Sequence, residues 1–156
     1  MRGMTMQLAQ VRDSWAALDA RDTESATFRP LIDSRTGYVR YDVGANDDAD
    51  AADSLVIIDR ARIADGWRGQ GGIGRILIEQ AISLVADPAG LCLVALKAHP
   101  YLDETEEEEA TPEAVASTEQ TWASMGFTRV EDRKLFVRST AKKNLFGDVA
   151  KRLGLP

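Results

Sequence analysis

The sequence has little of what several protein classes require. Its 156 residues include one cysteine, Cys92, and one histidine, His99, so a single chain can form no disulfide and no Cys/His zinc site, and we expect no bound metal. The absence of disulfides favours the reducing cytoplasm. The longest apolar run, residues 91–96, is far shorter than the ~20 residues of a membrane span. The first residues lack the apolar stretch of a signal peptide, so we expect no membrane role.

Basic residues are also scarce. There are 19 Lys and Arg against 25 Asp and Glu, which gives a formal net charge of -6. Because contacts to phosphate backbones need a basic surface, we expect no nucleic-acid partner, and cationic partners fit better. Glycine (12) and proline (5) are too few for a fibrous or low-complexity chain, while 44% of the residues are hydrophobic. Length and composition therefore predict one globular domain over residues 1–156.

Periodicity in the first third predicts one helix and one strand. The helix is expected from about residue 6 to residue 19, because four apolar residues fall on one helical stripe: Leu8, Val11, Trp15 and Leu18. Apolar and charged residues alternate at 39–43, which predicts a half-buried strand after a turn at 33–37.

The central region predicts a strand, a glycine-rich loop, a helix and a second strand. Residues 55–63 begin as an apolar run and then alternate, with Ile57, Asp59, Ala61 and Ile63 on one face. Residues 91–98 are an apolar run of strand length, and residues 73–85 carry apolar residues at helical spacing. Two strands joined through a helix in this way usually pair or lie near each other. We therefore expect an α/β fold.

The last third predicts a helix, a hairpin and a second helix. Thr111 is placed as an N-cap with Pro112 at the first helical position, and Gly126 is placed to end that helix. Strands are expected at 127–130 and 134–138. Residues 140–155 combine apolar residues at spacing four with basic residues, which predicts an amphipathic helix. This helix and the amino-terminal one are candidate homodimer surfaces.

A glycine-rich segment precedes the central helix: Arg68-Gly69-Gln70-Gly71-Gly72-Ile73-Gly74-Arg75. Backbone N–H groups at a helix N-terminus converge on one point and favour an anion there. The ATP-type loop needs Lys and Ser/Thr after its last glycine, where this chain has Arg75 and Ile76. The dinucleotide pattern GxGxxG is met literally, but five residues separate it from the preceding strand, and the next strand ends in Lys97-Ala98 instead of an acid.

The order of these motifs, followed by Trp122-x3-Gly126-Phe127 and a hairpin, resembles the GNAT N-acetyltransferase family over residues 55 to about 139. The resemblance implies an α/β fold with a mixed, splayed central β-sheet of about six to seven strands and helices on both faces. It implies a CoA-binding core at 55–98 and a helix and hairpin at 111–139, and the amphipathic helix predicted at 140–156 follows them. The glycine loop has one glycine more than the family spacing. Trp122 stands where many members carry a tyrosine that protonates the leaving thiolate, which an indole cannot do.

The resemblance implies acetyl-CoA as co-substrate. Backbone groups of Arg62 and Ile63 are expected along the pantetheine arm, and Arg68 or Arg75 near the 3′-phosphate. The pyrophosphate is expected on the amides of the loop: Gly69, Gln70, Gly71, Gly72, Ile73 and Gly74.

Three residues are candidates for proton transfer, and each also has an ordinary structural interpretation. Asp59 lies on the predicted strand face of Ile57, where an acid is either functional or salt-bridged. His99 follows the strand whose end opens the substrate cleft in the family, and imidazole exchanges protons readily near neutral pH; a surface or capping role is the alternative. Tyr101 is the nearest phenol, or a packing residue. The acidic run at 103–109 is a solvated loop or a collar for a cationic acceptor.

The expected function is therefore acetyl transfer from acetyl-CoA to a primary amine, such as a small cationic or peptide acceptor, by direct attack in a ternary complex. Three alternatives stay open. The protein binds or senses acyl-CoA without catalysis, it binds a dinucleotide, or it is a toxin that acetylates charged tRNA. The last would need a basic face, which only the helix from Thr140 onward offers.

Overall fold

The computed structural model describes residues 2–8, 10, 13–21, 23–40, 42–43, 52–64, 66, 72–86, 90–100, 110–130, 134–140 and 151. Their helices are α1 (Ser14–Arg21), α2 (Thr23–Ala26), a 3-10 turn (Arg29–Leu31), α3 (Ile73–Val85) and α4 (Pro112–Ser124). Their strands are β1 (Arg2–Gln7), β2 (Ser54–Arg60), β3 (Cys92–Lys97), β4 (Thr128–Arg129) and β5 (Leu135–Ser139). Within these residues no helix is long and apolar enough to cross a membrane.

The strands form a mixed sheet in the order β1-β2-β3-β5-β4. Its central pair, β2 and β3, is parallel, in register from Ser54 opposite Cys92 to Ile58 opposite Leu96. The other pairs are antiparallel. The predicted unit of strand, helix and strand is thus confirmed, with its two strands as direct neighbours.

Side-chain alternation along the strands divides the core into two layers, because successive residues of a strand point to opposite faces. On one face Leu55 and Ile57 of β2 pack with Leu18 of α1 and Leu31 of the 3-10 turn. On the other, Val56 and Ile58 belong to a cluster that contains Ile82 of α3, Trp122 of α4 and Met125, which caps the end of α4. Helices therefore cover both faces of the sheet, as expected.

The strand count differs from the expected six to seven, since the sheet has five strands in the described part of the chain. One predicted strand, at 39–43, is reduced to a single bridge between Ile32 and Val39. After it, the N–H of Val43 bonds to the carbonyl of Arg40 at 3.3 Å.

The amino-terminal prediction is also wrong in part. The segment Arg2–Gln7 is strand β1, paired antiparallel with β2, and the helix begins at Ser14 instead of near residue 6. Leu8 and Leu18 are both buried, but Leu8 directly follows strand β1 and Leu18 lies in α1, so the two do not share one helix.

The predicted turn at 33–37 is present and is organised by Asp33. Its Oδ1 accepts the N–H of Arg35 at 2.8 Å and that of Thr36 at 3.1 Å. These backbone hydrogen bonds to Arg35 and Thr36 hold the pKa of Asp33 below its usual range.

The ends of α4 agree with the sequence. Thr111 is the N-cap, its Oγ1 accepting the N–H of Ala114 at 3.3 Å, and Pro112 follows at the first position. Gly126, just past the helix, has φ 85°. The helix predicted over 140–156 lies outside the described residues except Thr140, which hydrogen-bonds to Cys92, and Lys151, which is helical and exposed.

Helix α3 has the predicted bounds, but three of its apolar residues point away from the sheet. Leu77, Leu84 and Val85 are 50%, 84% and 43% exposed. Ile78 and Ile82 pack towards the sheet instead, together with the buried carboxylate of Glu79.

Candidate functional site

The candidate site lies where the parallel strands β2 and β3 separate. Their ladder ends at Ile58 and Leu96. Beyond this point β2 continues along β1 to Arg60, and β3 continues along β5 to Lys97. The carboxyl ends of parallel strands are where α/β sheets commonly bind ligands, because the two chains leave the sheet there.

Helix α3 begins after the chain has left this end of β2. Gly72 caps it with φ 87° and ψ 13°, a left-handed conformation that costs other residues energy. The N–H of Arg75 bonds to the carbonyl of Gly72 at 2.9 Å. The N–H groups of Ile73 and Gly74 are first-turn groups with no intrahelical acceptor. This turn is therefore suited to an anion.

Ile63 and Gly74 bring the end of β2 and the start of α3 together. A Cβ placed on Gly74 would lie 3.0 Å from Cγ1 and 3.3 Å from Cδ1 of Ile63. Only glycine leaves this approach unhindered. Two residues that the sequence assigns to cofactor binding are therefore neighbours in the fold.

The other predicted cofactor residues divide into two groups. Arg62 is exposed, whereas Ile73 and Arg75 are half-buried on either side of Gly74. The remaining predicted cofactor residues lie outside the described residues: Arg68, Gly69, Gln70 and Gly71.

His99 lies just beyond β3, at the same edge of the sheet. Its N–H bonds to the carbonyl of Lys97 at 2.9 Å, and its ring Nδ1 is 2.9 Å from the carbonyl oxygen of Pro100. Because a carbonyl oxygen only accepts, Nδ1 carries the hydrogen, and Nε2 of the neutral ring keeps its lone pair. The half-buried imidazole is thus oriented with a proton acceptor at Nε2.

Asp59 is half-buried near the end of β2, and strand alternation puts it on the face of Ile57. The expectation that Ala61 shares this face is wrong, because Ala61 packs with the cluster of Val56 and Ile58. The alternation stops because β2 ends at Arg60. Tyr101, the third candidate, and the acidic run at 103–109 lie outside the described residues.

Trp122 belongs to the core. It is 8% exposed, and its ring meets that of Phe127 edge-on, with centroids 5.4 Å apart and planes at 75°. Cys92 is fully buried and is the free thiol of the chain.

Sequence reasoning missed the buried ion pair of Glu79 and Arg138, which joins α3 to β5. The inward position of Arg138 could have been predicted, because alternation along β5 places this residue on the same face as Phe136. Glu79 likewise lies one residue from Ile78 and three from Ile82, on the inward side of α3.

Among the residues described, no three His, Cys, Asp or Glu side chains are grouped so that they could hold a metal ion. No protein-family model, no curated protein and no solved structure matches this chain.

Proposed function

We propose that the protein binds acetyl-CoA at the β2–β3 separation and transfers its acetyl group to an amine. The observation that carries the proposal is the combination of two parallel strands that separate after Ile58 and Leu96 with a glycine-capped helix that starts at the same edge. The resemblance of residues 55–139 to the GNAT family supports it, and the separation of the two strands is consistent with the splayed sheet that the resemblance implies.

The described residues fit such a ligand chemically. N–H groups of Ile73 and Gly74 supply donors for pyrophosphate oxygens, and the positive end of the α3 dipole favours their charge. Arg75 adds a fixed cation in the same turn. The absence of a Cβ at Gly74 lets Ile63 pack close to the first turn of α3. Acetyl-CoA, when bound, supplies an activated acyl carbon next to this edge.

We assign proton removal to His99. In the transfer, a bond forms between the amine nitrogen and the acyl carbon, and the carbon–sulfur bond breaks with its electron pair leaving on the sulfur as CoA thiolate. The nitrogen loses a proton, and the thiolate takes up a proton from solvent. Nε2 of His99 accepts that proton directly or through a water, since Nδ1 already donates to Pro100. Asp59 is the second candidate for this role. The acidic run at 103–109 remains our candidate for attracting a cationic acceptor.

The binding test is calorimetric titration with acetyl-CoA and, separately, NADH. Wild-type protein is expected to bind acetyl-CoA with micromolar affinity and NADH much more weakly. Gly74→Val should weaken acetyl-CoA binding by about tenfold or more, because the new side chain meets Ile63 at the start of α3. Gly66→Val is the matched control, since a Cβ there meets nothing within 4 Å. Binding of NADH alone, or equal affinity in both variants, would overturn the assignment.

The catalytic test is release of free CoA thiol over a panel of primary amines and polyamines. A second function, acyl-CoA binding without turnover, is favoured by one observation: Trp122 is a buried core residue and supplies no acid. Tight binding with no thiol release over the whole panel would select that second function.

A further inference from the structure

The buried ion pair of Glu79 and Arg138 has a geometry that fixes the orientation of the two side chains relative to each other. Both guanidinium Nη groups donate to the carboxylate, Nη1 to Oε1 and Nη2 to Oε2, the latter at 3.0 Å. The side chain of Arg138 is 2% exposed and that of Glu79 5%. A two-point contact of this kind constrains orientation as well as distance.

Arg138 is itself held from two further sides. Its Nη1 donates to the carbonyl of Met125 at 2.9 Å, and its Cζ lies 4.7 Å from the ring centroid of Phe127. Helix α3 is therefore tied at one point to β5 and to the end of α4. Nε of Arg138 is buried with no hydrogen-bond partner in the described structure, which is a cost that an apolar residue would not carry.

Helix α3 contains a competing apolar stripe. Leu77, Leu84 and Val85 form it, and it is the exposed side of the helix. The inward side carries Glu79 beside two apolar residues, Ile78 and Ile82. At about 100° per residue, the two sides lie roughly 130° apart around the helix. Apolar pattern alone would turn the outer stripe towards the sheet.

We propose that the Glu79–Arg138 pair is a positioning device that fixes the rotation of α3. The first turn of α3 moves with the helix, and it lies only about 9 Å from Glu79 along the axis, at 1.5 Å per residue. The pair therefore sets the direction in which the N–H groups of that turn point. This last step rests on the proposed cofactor site, whereas the rotation itself does not. Buried ionic groups are known to select one packing arrangement over others in some proteins.

The rotation is tested by thiol labelling in the full chain. Cys92 is fully buried, so a cysteine introduced on α3 is the reactive one. Leu84→Cys reports the thiol accessibility of the outer side of α3, and Ile82→Cys reports that of the inner side. With the ion pair intact, the thiol at position 84 should react about 100-fold faster than that at position 82, because labelling of a buried group needs local opening.

The same two thiols are then measured with Glu79→Leu and Arg138→Met combined, which replaces the pair by apolar side chains. The difference between the two positions should shrink by about tenfold or more, since the outer stripe now competes for the sheet. The matched control is Glu119→Leu with Arg129→Met, which removes the more exposed pair between α4 and β4, at 3.5 Å. The control should leave the labelling difference unchanged.

Two single variants keep the test decisive if the double variant does not fold. Glu79→Gln retains a hydrogen-bond acceptor for Arg138 and should preserve most of the labelling difference. Arg138→Lys keeps the charge but loses the two-point contact, and should reduce the difference. An unchanged labelling pattern in the folded double variant, or in Arg138→Lys when the double variant does not fold, overturns the proposal.

The effect on the proposed site is measured with acetyl-CoA. Loss of the pair should raise the KM for acetyl-CoA by about tenfold and leave kcat within about threefold, because binding geometry changes and His99 does not. If wild type does not bind acetyl-CoA but the labelling shift occurs, the proposed function fails and the rotation stands. If wild type binds acetyl-CoA and the labelling pattern does not shift, the rotation proposal fails and the proposed function stands.

Discussion

The left-handed conformation of Gly72 leads to a quantitative prediction. Gly72 has φ 87° at the start of α3, and this region costs a residue with a Cβ roughly 1–2 kcal/mol. Gly72→Ala should therefore lower the free energy of unfolding by about that amount. For a chain of this length the midpoint temperature should fall by about 2–8 °C. Gly72→Asn should lose less, because asparagine tolerates this conformation better.

The assay is urea unfolding followed by circular dichroism, with thermal melts in parallel. A shift of the midpoint with an unchanged slope identifies a change in native-state stability. Gly66→Ala is the matched control from the same connection. Its Cβ meets nothing within 4 Å, and its φ lies outside the left-handed region. That variant should be unchanged or more stable by about 0.4–1 kcal/mol, because alanine restricts the unfolded chain.

The two variants should thus move in opposite directions or differ by more than about 1 kcal/mol. If Gly72→Ala is as stable as wild type, the first turn of α3 is not held in this conformation. The anion site built on that turn would then lose its geometric basis.

Three further predictions concern single side chains. His99→Ala should lower kcat by about 10²–10⁴ if it is the base, while Asp59→Ala stays within a few-fold; thiol release measures both, and the reverse result would transfer the role to Asp59. Thr111→Ala should destabilise the protein by about 1 kcal/mol through loss of the α4 cap, and an unshifted urea midpoint would contradict the capping assignment. For Asp33, a lowered folded pKa adds stability above the unfolded value of about 3.9, and that stability is lost as pH falls through the folded pKa. The excess in unfolding free energy of wild type over Asp33→Asn should therefore disappear in acid. Urea unfolding at several pH values measures this excess, and a value that is constant with pH would refute the role of Asp33.

Elements with strong local signals were predictable. Thr111, Pro112 and Gly126 mark the ends of α4 through residues next to each other in the chain. The central strands and α3 were equally clear, because each is a continuous apolar or periodic run.

What escaped prediction depends on partners distant in sequence. Residues 4–7 of strand β1 do alternate between apolar and polar side chains, but a run this short does not decide between strand and helix. Its pairing with residues 54–60 is what makes it a strand. The rotation of α3 likewise depends on Arg138, 59 positions after Glu79. In the candidate site, the motif assigned Ile63 and Gly74 to one cofactor site, but their contact comes from the fold. The orientation of the His99 ring likewise depends on a hydrogen bond that only the fold reveals.

The position of β3 between β2 and β5 has a consequence for the order of folding. Its five residues from Cys92 to Leu96 are all buried, and β5 follows about forty residues later in the chain. During synthesis, which proceeds from the amino terminus, β3 is therefore an apolar edge strand until β5 emerges. Such an edge is a template for pairing with other chains. Aggregation should accordingly be most severe for nascent or truncated chains that contain β3 and lack β5.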